Sequence, residues 1–266
     1  MNVSEHSPLT PRQYEILDVA RERGRVDIDG LAAGFGVTPQ TIRKDVNDLA
    51  ERGLLHRIHG GAVYPSNVAN YGYDSRRVLA AEEKAAIGAR AAALIPDNSS
   101  IILNIGTTTE QVAMALRGHR GIMAITNNLN VANILREAPE IQVIIAGGMV
   151  RQSDGGVVGE ATIDLINQFR VDFAVIGASA MDEDGAILDF DYREVRVAQA
   201  IIANARRTML VVDHTKFGRS APVRIGELAD IDLFVTDRQP PEPIREICDA
   251  HGVRLEIAEP QPAGDA

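Results

Sequence analysis

The chain has 266 residues, 45% hydrophobic and 24% charged, a soluble globular composition that excludes a largely disordered polymer. Aromatics are only 4% and Trp is absent, which argues against stacking platforms for single-stranded nucleic acid; the lone Cys248 excludes an intrachain disulfide framework or a multi-cysteine metal site. The formal net charge is −10, yet residues 1–65 hold eight Lys/Arg and nine Asp/Glu, so the acidity sits in the larger remainder and a local basic face is still open to the N-terminal part.

This length predicts two domains, or one large α/β domain. Met1–Arg12 carries no signal-peptide pattern and no 18-residue apolar run occurs, so a cytoplasmic chain with no membrane partner is expected.

Thr10-Pro11 is a helix start, with Thr10 as cap and Pro11 at the first helical position. Tyr14, Leu17 and Ala20, with Ile16 beside them, make an apolar stripe that Gly24 ends. Val26 to Ile28 reads as a short extended link, and Asp29 as the cap of a second helix through Leu31 and Phe35. Gly36-Val37 is a tight turn, after which Thr38-Pro39 repeats the start signal. In this third helix Ile42, Val46 and Leu49 fall at core spacing. Gln40, Thr41, Arg43, Lys44 and Asn47, with Thr38 at the start, are left on the outer face. Arg suits guanine, Gln and Asn suit adenine, and Lys suits phosphate. Gly53 stops the helix, and Leu54–Arg57 and Ala62–Tyr64 flank His59-Gly60-Gly61 as a hairpin. Three helices and a hairpin predict a winged helix-turn-helix over 1–65, with His56, Arg57 and His59 of the wing touching phosphate or the minor groove. A helical bundle with a solvated charged face is the plainer alternative, and His56 with His59 lacks a third metal ligand nearby.

Residues 66–79 lack periodicity and read as a linker; 259–266 read as a frayed tail. Between them, over 80–258, Glu82–Leu94 reads as a helix and strands then alternate with helices. The strands are Ile101–Ile105, Ile122–Thr126, Val143–Ala146, Phe173–Ile176, Met209–Val212, Leu233–Thr236 and Arg254–Ile257. The helices are Glu110–Leu116, Val131–Glu137, Ala161–Phe169, Glu194–Ala205 and Pro243–His251. The alternation predicts an α/β domain with a mostly parallel sheet, whose ligands bind at the carboxyl ends of the strands.

The residues after those strands share a chemistry. They are Gly106-Thr107-Thr108-Thr109, Asn127-Asn128, Gly147-Gly148, Gly177-Ala178-Ser179 and Asp213-His214-Thr215-Lys216, with Arg219 beyond. Glycine admits a ligand to the backbone, threonine and helix-start amides suit phosphate, and Lys216 supplies charge. Singly these are caps, turns and a solvated lysine; together they predict a pocket for a small anionic ligand. Asp189, Arg193 and Glu194 can reach polyol hydroxyls, or form a cap and a surface ion pair around Asp191. The glycine-rich stretch Ser153–Glu160, with Gly159, lines the pocket or only turns the chain. Cys248 reads as core packing. No metal and no cofactor is expected.

Pro39-Gln40-Thr41-Ile42-Arg43-Lys44-Asp45, then Leu49-Ala50-Glu51 and His59-Gly60-Gly61-Ala62, resemble the DeoR-type family of bacterial transcriptional repressors. The likeness spans roughly residues 10–257. It implies a sensor domain of the ribose-5-phosphate-isomerase-like fold, binding to double-stranded operator DNA, release by a phosphorylated sugar or polyol, and a homodimer or homotetramer. A narrower likeness within the family, carried by Thr126–Asn133, Ser153–Phe173, Phe190–Arg196 and Val211–Arg219, implies glycerol 3-phosphate as the effector. Other sugar phosphates, or an isomerase-like or acyl-transfer enzyme fused to the DNA-binding unit with Lys216, Glu194 and Asp189 catalytic, are the alternatives. The family's isomerase relatives carry an acid after the Gly-Ala of the fourth strand; this chain has Ser179, which weakens the enzyme reading.

Overall fold

The computed structural model describes residues 9–23, 25–52, 54–58, 60–63 and 73–259, in two units, Met1–Ser75 and Arg76–Ala266. In the first, α1 (Pro11–Arg23) starts after Thr10, whose Oγ1 accepts from Gln13 N at 3.3 Å. Ile16, Leu17 and Ala20 are buried; Tyr14 is exposed, and Gln13 takes the inner position on that stripe instead. β1 (Arg25–Asp27) is the extended link, followed by α2 (Ile28–Phe35). The cap of α2 is Asp27, not Asp29: Ile28 is already helical, so the carboxylate within reach of Gly30 N, at 2.6 Å, is the one before it. Gly36 closes α2 in the left-handed region, and α3 (Pro39–Glu51) begins after Thr38, which accepts from Thr41 N at 3.2 Å.

β2 (His56–Ile58) and β3 (Gly61–Val63) form the hairpin, and β3 also pairs with β1, giving the order β1-β3-β2. Gly61 is required by that close pairing, since a Cβ there would lie 2.1 Å from Val26 O. Arg12 Nε donates to Asp45 at 2.6 Å and Gln13 Nε2 to Asp48 at 2.7 Å, so polar ties lock α1 to α3 beside the buried Ile42, Val46 and Leu49. This is a winged helix-turn-helix. Gly24, Gly53, His59, residues 64–72 and 260–266, and the side chain of His56, lie outside the described residues. A short helix, α4 (Tyr73–Val78), stands inside the stretch read as linker; its Arg-rich sequence offers no apolar period to betray it.

The second unit continues with α5 (Ala81–Ala93), β4 (Ser100–Leu103), α6 (Thr107–Leu116), β5 (Ile122–Thr126), α7 (Leu129–Leu135) and β6 (Ile141–Ile145). The hairpin of β7 (Met149–Val150) and β8 (Val157–Val158) leads to α8 (Glu160–Ile166) and β9 (Val171–Ile176). After it come β10 (Ala180–Met181), β11 (Ala186–Asp189), α9 (Tyr192–Ala203), β12 (Ala205–Val211), β13 (Val223–Glu227), β14 (Leu233–Thr236), α10 (Glu242–His251) and β15 (Arg254–Ile257).

The seven expected strands all enter one parallel sheet, ordered β15-β14-β12-β9-β4-β5-β6. Period two then divides the core. Ile101, Leu103, Phe173, Val175, Met209 and Val211 join α5, α6 and α7 on one face. Ile102, Ala174, Ile176, Leu210 and Phe234 join α8, α9 and α10 on the other, where Cys248 is also buried. From β4 the chain winds outward to β6; it then returns to β9, beside β4, and winds to the opposite edge. The reversal leaves a crevice beyond the carboxyl ends of β4 and β9. A small antiparallel sheet, β10-β11-β13, was not read from the sequence and brings Asp189 to the end of β11.

Candidate functional site

A pocket of about 390 Å³, mouth included, opens at that reversal. Ile105-Gly106-Thr107-Thr108 after β4 and Gly177-Ala178-Ser179 after β9 line it, with Val211, Lys216, Asp189, Glu194 and Arg76. Gly106 caps α6 with φ 150° and has no side chain to satisfy the first-turn amides. Those N–H groups lack intrahelical partners and carry the positive end of the helix, so the start of α6 suits an anion.

Lys216 ends a single 3-10 turn, His214–Lys216, held by Asp213 accepting from Thr215 N at 3.0 Å. It is buried, and burial pushes its ammonium down to about 8; Asp213 opposes this, while Arg219, Lys84 and Arg76 push the same way as burial. A lysine crowded by three cations gains most from an arriving anion. Lys84 is itself buried, 3.7 Å from Asp213, and burial lowers its pKa against the pull of that carboxylate.

The pocket also holds two buried carboxyl groups. Burial first, then Asp189, raises Glu194 to about 8, with Arg151 pulling the other way. Asp189 accepts from Phe190 N at 2.6 Å. Carboxyl oxygens accept from hydroxyls, and a protonated Glu194 also donates, which is what a row of hydroxyls needs.

Of the sequence-predicted residues, Gly106, Thr107, Thr108, Asp189, Glu194 and Lys216 come together in the pocket. Arg219 is half-buried and acts on Lys216 by charge. The others have structural work. Thr109 Oγ1 lies 2.8 Å from Asn104 O and 2.7 Å from Gly106 O and bridges the turn. Asn127 Nδ2 donates to Val157 O at 3.1 Å, and Asn128 caps α7 through Asn130 N at 2.9 Å. Gly147 O accepts from Thr162 Oγ1 at 2.9 Å, Gly148 sits against Thr162, and Gly159 caps α8. Arg193 is exposed and pairs with Asp191, which caps α9.

Two arginines were missed. Arg151 reaches Asp154 at 2.6 Å, Glu194 at 2.6 Å and Asp191 at 3.1 Å, so Glu194 belongs to a buried web and not to a surface pair. Arg76 lines the pocket from α4 and lies 3.3 Å from Asp154. Asp154 is three residues from Arg151, but Asp191 and Glu194 are far along the chain from it, as Asp154 is from Arg76, and only the fold reveals those contacts. Glu83, His214 and Asp237 bring possible metal-ligand atoms within 4.8 Å of one another, but Asp237 already accepts from His214 Nδ1 at 2.7 Å and Arg238 Nε at 3.1 Å.

In the first unit Thr38, Gln40, Arg43 and Lys44 are exposed along α3, Thr41 and Asn47 are half-buried, and Arg57 is exposed on the hairpin. Thr38 Oγ1 also lies 2.9 Å from Thr41 Oγ1, so both hydroxyls serve the helix start. Among the described residues no helix is long and apolar enough to cross a membrane.

The DeoR-like helix-turn-helix domain family matches residues 12–68, and the DeoR C terminal sensor domain family matches 79–238. The chain is 45% identical over 248 residues to the glycerol-3-phosphate regulon repressor of Escherichia coli (strain K12), covering 93% of this chain and 98% of that protein. It is 41% identical to the HTH-type transcriptional repressor CsqR of the same organism, covering 88% of this chain and 90% of that protein. Among solved structures, ribose 5-phosphate isomerase A from Methanocaldococcus jannaschii aligns with TM-score 0.39 and 15% identity, over 53% of this chain and 56% of that one.

Proposed function

This chain belongs to the DeoR family of DNA-binding transcriptional repressors, and from that premise we propose that glycerol 3-phosphate, bound at the sheet reversal, makes it release its operator. One observation carries the ligand class: the uncapped start of α6 and the buried Lys216 share a pocket with the carboxyl groups of Asp189 and Glu194. The phosphate lies on Thr107, Thr108 and Lys216; the hydroxyls meet Asp189 and Glu194. Arg219 adds positive charge that acts on Lys216. The likeness to repressors named for the glycerol-3-phosphate regulon supports glycerol 3-phosphate over other phosphorylated ligands.

On the DNA side, Gln40, Arg43 and Asn47 read base edges from the major groove, Thr38, Thr41 and Lys44 hold the backbone, and Arg57 with His59 of the wing holds the flanking phosphates. One winged helix reads few base pairs, so two or four copies act together, as a homodimer or homotetramer.

A thermal-shift panel on the full chain tests the effector: glycerol 3-phosphate, glycerol, ribose 5-phosphate, fructose 6-phosphate, fructose 1-phosphate and inorganic phosphate. A ligand at 100 times its dissociation constant stabilises the fold by about 2.7 kcal/mol. Glycerol 3-phosphate is expected to give the largest shift, glycerol none. A larger shift from another sugar phosphate would replace the effector and keep the repressor.

A further inference from the structure

We propose that Arg76 is the latch of this repressor: it holds Asp154 when the pocket is empty and leaves it for the phosphate when the pocket fills. The proposal rests on the phosphate-pocket reading and names how that site reports to the DNA-binding unit.

Arg76 is the first residue of the sensor unit, directly after Ser75, within α4. Its Nη2 makes an ion pair with Asp154 at 3.3 Å, the longest contact that carboxylate has with an arginine; Arg151 holds Asp154 at 2.6 and 2.9 Å. Asp154 is fixed further by Gly156 N at 3.2 Å. Asp154 stays where it is, and Arg76 is the partner free to leave. The Nε of Arg76 is buried and has no hydrogen-bond partner among the described residues, although the side chain lines the pocket. An unused cationic donor beside an anion pocket is a costly arrangement unless a ligand completes it. A phosphate offers two oxygens to Nε and Nη2 together, a geometry the single long contact with Asp154 does not match.

The backbone of α4 is held beside the same pocket. Arg76 O accepts from Lys84 Nζ at 2.5 Å and lies 3.5 Å from Thr107 Oγ1. Thr107 opens α6. A phosphate on α6 draws this hydroxyl from Arg76 O as it draws the guanidinium from Asp154. Both changes act on one helix, whose other end leads into the DNA-binding unit. The latch thus makes α4 the element through which both sites act on one another.

The test uses the full chain with Arg76→Gln and Asp154→Asn, reading operator affinity without ligand and glycerol 3-phosphate affinity by calorimetry. Both variants open the latch, so each is expected to lower ligand-free operator affinity by about fivefold or more and to shrink its response to the effector, the size of an ordinary allosteric coupling. Effector affinity moves in opposite directions: tighter in Asp154→Asn, where Arg76 is released to the phosphate, and weaker in Arg76→Gln. General loosening of the fold would not split the two that way. Arg76→Lys restores part of the operator affinity. Should Asp154→Asn fail to fold after losing the partner of Arg151, Arg76→Gln and Arg76→Lys still decide the matter. Wild-type operator affinity in Arg76→Gln, with full release at saturating effector, would overturn the latch. If the wild type ignores glycerol 3-phosphate while both variants still lose operator affinity, the effector is wrong and the latch stands.

Discussion

Two helices carry the functional reading, and they are used in different ways. α3 begins with its own acceptor, Thr38, and presents a flank of Gln40, Arg43 and Lys44. α6 begins with Gly106 and presents its bare end to a pocket. A helix start that supplies its own cap is complete, and its specificity must come from side chains along its length. A start without a cap leaves amides for a ligand, and its specificity comes from what surrounds them. The same contrast runs through the charges: Arg43 is exposed, where a moving partner finds it, while Lys216 is buried and short of counter-charge.

Lys216→Ala tests the buried side and should have the largest effect. Losing a charged hydrogen bond to phosphate costs about 1.5–3 kcal/mol, so effector affinity should fall by roughly 10- to 150-fold while operator binding persists. Calorimetry with glycerol 3-phosphate measures it; an unchanged isotherm would remove Lys216 from the phosphate site. Arg43→Ala tests the exposed side. It should weaken operator binding by about 1–3 kcal/mol and relax base preference at one position, leaving effector affinity alone. Equal losses on operator and random DNA would reduce Arg43 to a backbone contact.

Titration sharpens the contrast further. Lys216 in the empty pocket loses its proton as pH rises through about 8. Phosphate binds the charged form, so affinity should drop by about tenfold between pH 7 and pH 9, where the phosphate itself stays dianionic. Lys216→Arg keeps its charge throughout and should flatten that slope, leaving what Glu194 contributes. Thr38→Ala is the smallest change. It removes the cap of α3 and should cost about 1 kcal/mol in denaturant unfolding of the N-terminal unit.

Much of this molecule was legible in its sequence. The seven sheet strands stand out because burial on both faces demands apolar runs, and Thr38-Pro39 and Asp191 mark helix starts through chemistry local to the cap. Elements stabilised by distant partners were not. β10 and β11 are two and four residues long and exist because β11 pairs with β13, far along the chain. Asp27 and Asp29 are both plausible caps, and only the first helical residue decides between them. In the site, the rule that ligands meet the loops after parallel strands found Gly106, Thr107, Thr108 and Lys216. It also gathered Thr109, Asn127 and Asn128, polar residues after strands that lie outside the pocket lining and whose side chains bond backbone groups: Thr109 to Gly106 O, Asn127 to Val157 O and Asn128 to Asn130 N. Arg76 was hidden by its setting, since a short arginine-rich helix between two units looks like linker until the pocket is seen beside it.

The most direct test of the central claim is the affinity of the full chain for its operator, selected from random DNA, with and without saturating glycerol 3-phosphate. A loss of operator affinity with glycerol 3-phosphate, and none with glycerol, is the outcome this account requires. Equal operator affinity in both conditions, with the ligand shown to be bound, would contradict it.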